Sequence, residues 1–349
     1  FSGLSRYFWP ITPYADMRKI TRCSKHDYGG PTMRNELNTE TDLASSLPKA
    51  QPIRSKRSDV ILLNIIGYTF LTLGAVICFL PFVIVLSSSL TEEQTILKEG
   101  FQLIPTDFSW EAYRLIFERP WEIVNAYIIT IVVTVVGTAL SLFLISMTAY
   151  VLQRKDFKWR NPIAFYFFFT TLFNGGLVPF YLLVTNYLNL ENTIAVQILP
   201  ITMNVFYIIV MKAFISSGIP KEITESAKID GAGDFLIYLR LILPLSKPAL
   251  ASIGLLMALV YWNDWYLPLL FINEEHLVPM QYYLYRTIQN FTAIKNAMYG
   301  SGQVVDTLSI PEHSMKMAFT ILAAGPIMLV YPFIQRYFVQ GLTIGAVKG

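Results

Sequence analysis

Long apolar blocks near residues 60–89, 123–151, 162–184, 194–215, 249–271 and 316–337 dominate the chain, separated by shorter polar segments. A helix needs about 20 predominantly apolar residues to cross the hydrocarbon core of a bilayer, and each block meets that length. The first is too long for a signal-peptide core and follows a polar stretch of more than fifty residues, so it reads as a retained membrane helix. Gly175, Gly176, Pro179, Pro200, Asn204, Pro268 and Pro326 interrupt the blocks. Membrane helices tolerate such residues where neighbours satisfy the freed backbone groups. The pattern predicts an all-α integral membrane protein with six transmembrane helices.

Composition agrees. Of 349 residues, 54% are apolar and 15% charged, with a mean hydropathy of +0.46; soluble domains carry about 25% charged residues. A net charge of +3 supplies no field for a polyanion, so no nucleic acid is expected as a partner. Cys23 and Cys78 suit neither a disulfide framework nor a zinc site, and His26, His276 and His313 are scattered. No metal site is expected.

Basic residues orient the bundle. Fourteen Lys and Arg flank one set of loops, among them Arg54, Arg154, Lys158, Lys221, Lys228, Arg240 and Arg336. The opposite loops hold five, Lys98, Arg114, Arg119, Arg286 and Lys295, with Lys316 at a boundary. The excess places both termini in the cytoplasm and makes the segments near 90–122 and 272–315 external. Residues 1–58 read as a cytoplasmic tail, in which 33–58 is rich in Ser, Thr, Asn and Pro and 1–32, ahead of Met33, read as an extension that carries no functional reading. The transmembrane domain is expected over 59–340 and a cytoplasmic tail over 341–349.

Channel, carrier, membrane enzyme and the membrane half of a pump are the open classes. An ion-coupled carrier needs ionisable groups inside the bilayer, and the blocks supply one well inside, Asp264. A membrane enzyme needs a nucleophile–base set, paired carboxylates or a metal, and the cytoplasmic loops offer none. The phosphate-cradling G-x-x-x-x-G-K-[ST] is absent, so any ATP would be hydrolysed on another chain.

The loop at 216–248 is the most informative. Pro220 suits a first helical turn, Glu222 and Glu225 complement the dipole there, and Ile223 and Ala227 share a face. Gly231 can end this helix in a left-handed conformation, and an apolar helix from Phe235 to Leu243 then stops at Pro244. Nothing on it catalyses. It reads either as a docking knob or as an interfacial helix lying on lipid.

Glu225-Ser226-Ala227-Lys228-Ile229-Asp230-Gly231-Ala232, with Ile242, Leu243, Pro244 and Pro248 downstream, resembles the "EAA" loop of ATP-binding-cassette importer permeases, Ser226 replacing an alanine. The end, Gly341-Leu342-Thr343-Ile344-Gly345-Ala346-Val347-Lys348-Gly349, is similar to the tail of maltose-type carbohydrate permeases. Trp262-Asn263-Asp264 and Asn174-Gly175-Gly176-Leu177-Val178-Pro179 resemble a branch associated with oligosaccharides of complex polysaccharides, including pectin-like and alginate-like uronates. The resemblance covers about residues 60–349. It implies a type I importer permease fold in a bacterial cytoplasmic membrane, with a coupling helix that carries Glu225, Ala227, Asp230, Gly231 and Ala232 to an ATPase subunit. It also implies a tail contact through Gly341, Thr343, Gly345, Lys348 and Gly349. The implied partners are a second related permease, two ATPase subunits that hold ATP and Mg, an extracytoplasmic sugar-binding protein and membrane lipid. The chain itself binds no cofactor and is no enzyme; the alternative is an ion-coupled secondary sugar carrier.

Sugars are gripped by aromatic faces and planar polar groups, and Tyr261-Trp262-Asn263-Asp264-Trp265-Tyr266 offers both. The same segment suits an interfacial aromatic belt, with Asp264 paired to a neighbouring helix. Asn174, Gln197 and Asn204 are either substrate ligands or interhelical hydrogen-bond partners. The external segment 272–315, with Tyr282, Tyr283, Tyr285 and Arg286, faces the compartment of the binding protein.

Overall fold

The computed structural model describes residues 57–300 and 311–346. The chain divides into two units, Phe1–Leu71 and Thr72–Gly349. The described part of the first is the opening of helix α1 (Arg57–Ser89), whose Leu63 and Phe70 are exposed. The second unit is helical. Among its described residues the single β contact is an isolated antiparallel bridge between Thr91 and Phe108.

Two short helices, α2 (Glu93–Glu99) and α3 (Glu111–Ile116), lead into α4 (Pro120–Gln153), which Pro120 opens with a preset φ where no N–H is needed. α4 is the central post. It packs against α8 (Val205–Gly218) and α11 (Lys247–Trp262), and α11 in turn packs against the last helix, α14 (Glu312–Ala346). Helices this apolar gain little from burial against one another in lipid, so small residues that permit close approach carry the packing. Gly137 on α4 does this. A Cβ there would lie 2.7 Å from Cζ of Tyr261, whose buried ring crosses the glycine. The Tyr261 hydroxyl then donates to the carbonyl of Ile198 (3.1 Å) and shares a 2.9 Å hydrogen bond with Ser141.

Among the described residues, α1 and α4 are each long and apolar enough to cross a membrane, and three bent helix pairs qualify if each is one span. The third apolar block is not one rod. It breaks into α5 (Arg160–Leu172) and α6 (Leu177–Leu182), the latter continued by a π turn at Leu183–Tyr187, and the two halves meet at 119°. Gly176, at φ +88°, makes the corner that a side chain would strain. The fourth block bends by 53° between Ile194–Ile201, which contains α7 (Ile194–Ile198), and α8. The fifth is divided at Asn263–Trp265, where α11 gives way to α12 (Tyr266–Phe271).

The segment after α12 carries α13 (Met280–Gly300), which packs on α4 and α14. Glu93 of α2, although buried, ties the segment between α1 and α4 to the start of α14. Its carboxylate accepts from the backbone N–H of His313 and Ser314, each at 3.0 Å, and from the Ser314 hydroxyl at 3.2 Å. Those are donors that a helix start leaves unsatisfied.

The Gly137–Tyr261 crossing gives a test. Gly137→Ala should lower the thermal midpoint of the detergent-solubilised protein, because displacing a packed ring costs ~1–3 kcal/mol. Gly325→Ala on α14 meets no atom within 4 Å and gains helix propensity, so its midpoint should hold or rise. Equal midpoints for the two variants would refute the crossing.

Candidate functional site

α8 ends at Gly218 and the buried Ile219, and Pro220, extended at φ −58° and ψ 137°, sits just before α9 (Lys221–Ile229) rather than in its first turn. Glu222 lies in the first turn and Lys228 in the last, the signs the helix dipole favours. Ala227 packs on the core, while Glu225 and Asp230 are exposed and Ile229 is 86% exposed. The exit is a Schellman motif. Gly231, at φ +79°, donates to Lys228 O, and Ala232 donates to Ala227 O, both at 3.0 Å. Nothing lies within 4 Å of a Cβ built on Gly231, so its φ alone demands glycine.

α10 (Asp234–Ile237) follows, and here Pro244 does not stop the helix as the sequence predicts. A π turn at Tyr238–Ile242 precedes the proline, with the Leu243 N–H bonded back to Tyr238 O. That wider turn carries the chain past a residue without an N–H, and the helical path ends only at Leu245. An 80° bend at Ser246 then opens α11.

Four charges tie this element to the end of α4. Arg154 grips Asp156 through both oxygens, with Nε at 3.0 Å, and places Nη1 2.6 Å from Asp234 Oδ1. Lys228 Nζ reaches Asp156 Oδ2 at 2.9 Å and stands 4.0 Å from Asp234. Arg154 and then Lys228 hold the Asp156 carboxyl well below the usual carboxylate range, and Asp156 first, then Asp234, raise the guanidinium above its own. The guanidinium also stands over the Tyr150 ring at 5.9 Å, Tyr150 stacks on Tyr238, and the Tyr238 hydroxyl bonds Ser146 at 2.8 Å. In the sequence Arg154 and Lys228 count only toward the charge asymmetry. Asp156 and Asp234 are near neighbours of Arg154 and Lys228 respectively, but the ties that join the two segments, Arg154 to Asp234 and Lys228 to Asp156, span 80 and 72 residues, and no local spacing signals them.

The residues read as a substrate path have mostly local work. Asn174 accepts from Gly176 N (2.9 Å) and Asn204 from Phe206 N (3.0 Å); among the described residues neither bonds across helices, whereas buried Gln197 donates to Leu277 O at 3.0 Å. Asp264 Oδ1 accepts from Tyr266 N and Leu267 N, capping α12, while its buried Oδ2 has no partner among the described residues. Trp262 is buried and donates its indole N–H to Ala323 O on α14 (3.1 Å). Asn263 and Trp265 stay exposed, Trp265 stacking on Tyr285 at 4.7 Å. An open cleft of about 640 Å³ brings Asn174, Gly175 and Gly176 to Tyr266. A second cleft, of about 410 Å³, gathers Arg119, Glu122, Tyr283 and Arg286. Burial and then Glu122 push the Tyr283 phenol up to about 12, so it stays a donor, toward Glu122 Oε2 at 3.2 Å. Among the described residues no group of three or more His, Cys, Asp or Glu gathers to hold a metal. α14 continues through Gly341, Thr343 and Gly345 to Ala346; Lys348 and Gly349 lie outside the described residues.

The chain is 40% identical over 289 residues to the polygalacturonan/rhamnogalacturonan transport system permease protein YtcP of Bacillus subtilis (strain 168), covering 82% of this chain and 99% of that protein. Protein LplC of the same organism is 36% identical over 80% of this chain and 93% of its own length. The fold matches a chain of a solved bacterial ABC transporter involved in the import of the acidic polysaccharide alginate. Its TM-score is 0.67 at 29% identity, covering 82% of this chain and all of that one. Residues 141–344, more than half of the chain, fit the family described as the binding-protein-dependent transport system inner membrane component, and the chain belongs to that family.

Proposed function

We propose that the protein is the pore-forming subunit of an ATP-driven importer that carries acidic oligosaccharides, fragments of pectin-like or alginate-like uronates, across a bacterial cytoplasmic membrane. Six spans place both termini inside. A second related permease completes the pathway, two ATPase subunits below bind ATP and Mg, and an extracytoplasmic binding protein delivers the sugar from above. The observation that carries this reading is α9. It is a short helix with no buried residue, ended by a left-handed glycine and tied back to the bundle, which is what a contact with a moving partner needs. The substrate class is supported by the names of the relatives, which concern polygalacturonan, rhamnogalacturonan and alginate. The Asp264 carboxylate, capping α12, is not the coupling group of an ion carrier in this reading.

In proteoliposomes holding the full complex, internal ATP should drive uptake of oligogalacturonates over neutral maltooligosaccharides, and a protonophore should leave the rate unchanged. Uptake abolished by the protonophore would favour the ion-coupled carrier. Asp264→Asn keeps an acceptor for the α12 cap, so it should reduce flux only a few-fold and spare the ATPase stimulation.

Gly231 separates conformation from bulk. Gly231→Val forces a β-branched residue into left-handed backbone at ~1–3 kcal/mol, so sugar-stimulated ATP hydrolysis should fall with membrane insertion intact. Gly231→Asn tolerates that backbone and should keep most of the stimulation. Equal stimulation in both variants would remove the exit geometry from the mechanism. Deleting 341–349 should preserve insertion and weaken coupling to the ATPase pair; unchanged hydrolysis and uptake would make the tail a passive end.

A further inference from the structure

We propose that the cluster Arg154–Asp156–Lys228–Asp234 is a rigid link that makes α9, α10 and the C-terminal end of α4 move as one body, so that a displacement of α9 is delivered first to α4. The inference rests on the proposed role of α9 as the ATPase contact. These four are positioning residues.

Apolar packing alone holds α9 weakly. The helix has no buried residue, and the small Ala227, with Ala232 beyond its exit, packs against the core. Two methyl groups bury little area, and stabilisation follows area. The polar link is correspondingly dense. Arg154 is only 20% exposed, its side chain is fixed over Tyr150, and its nitrogens reach carboxylates from two segments. A single exposed ion pair contributes little, because two long side chains lose freedom and water screens the charge. A two-pronged Arg–carboxylate contact is stronger and fixes direction. Lys228, in the last turn of α9, closes the network from the other side through Asp156.

The link continues inward. Tyr238 of the π turn stacks on Tyr150 with ring centroids 5.9 Å apart and bonds Ser146, so α4 and the α10 path share a buried polar and aromatic seam. The Schellman exit at Gly231 joins α9 to that path with two backbone hydrogen bonds. From Ser146 α4 leads straight to the Gly137–Tyr261 crossing, the tight contact with α11.

The test separates the link from the docking role. In the full chain in lipid nanodiscs, Arg154→Gln should speed amide exchange over residues 221–234 about fivefold, the factor one lost kilocalorie or so represents, and Arg154→Lys should speed it less. In a Cys23→Ser, Cys78→Ser background, a short bismaleimide bridge between Asp156→Cys and Lys228→Cys should restore slow exchange. In the assembled complex, Arg154→Gln should keep its ATPase subunits and basal hydrolysis but lose most of the stimulation by the binding protein loaded with oligogalacturonates; the bridge should return it. Unchanged exchange in Arg154→Gln, full stimulation without the link, or no rescue by the bridge would overturn the inference. Loss of the ATPase subunits from Arg154→Gln would also overturn it, since the cluster would then serve docking. Ile229→Asp tests the underlying reading separately: if ATPase binding survives it, α9 is not the contact, while the exchange experiment still decides whether the cluster is a link.

Discussion

Where an apolar helix breaks, it leaves backbone N–H groups that hydrocarbon cannot satisfy, and at three of its breaks this chain answers with a side chain two or three residues away. Asn174 serves Gly176, Asn204 serves Phe206, and Asp264 serves Tyr266 and Leu267. The bends of 119° and 53° and the division between α11 and α12 all depend on these local caps. Without them each bend would leave an open donor inside an apolar block, at a cost of a few kcal/mol per group.

That constraint also explains what the sequence showed and what it did not. The apolar runs were legible because length and composition alone mark them, and the second, near 123–151, is one helix. The breaks were not legible as breaks. Asn174, Asn204 and Asp264 were visible as polar residues in apolar surroundings, and such residues read either as sugar ligands or as links between helices. Their acceptors in fact meet donors of their own turn, a partnership set by backbone angles that a sequence does not display. Trp262 is similar: an indole suits a sugar face, yet Ala323, sixty-one residues away, takes its N–H.

The loop from Pro220 to Ala232 was the part most fully legible, since each of its signals is local. Acidic residues early, Lys228 late and a glycine two positions past the helix are rules of a single helix and need no knowledge of neighbours. Pro244 misled for the same reason. A proline ends a helix by local rules, and the π turn ahead of it is a tertiary accommodation. The charged cluster was hidden because Arg154 and Asp234 meet only once the whole bundle has formed. The unit from Thr72 onward thus combines local caps, which the sequence states one residue at a time, with long-range ties, which it does not state.

The π turn at Tyr238–Ile242 has a consequence for register. Such a turn holds one residue more than an α-helical path of the same length, and each residue rotates a helix by about 100°. The extra position is thus absorbed inside the turn, and the helix on either side keeps its face, with Ile237 in the core. A deletion within the turn would leave an ordinary α-helical path of the same length and keep Ile237 where it is, whereas the same deletion in the regular α-helix of α11 would turn every side chain beyond it by about 100°.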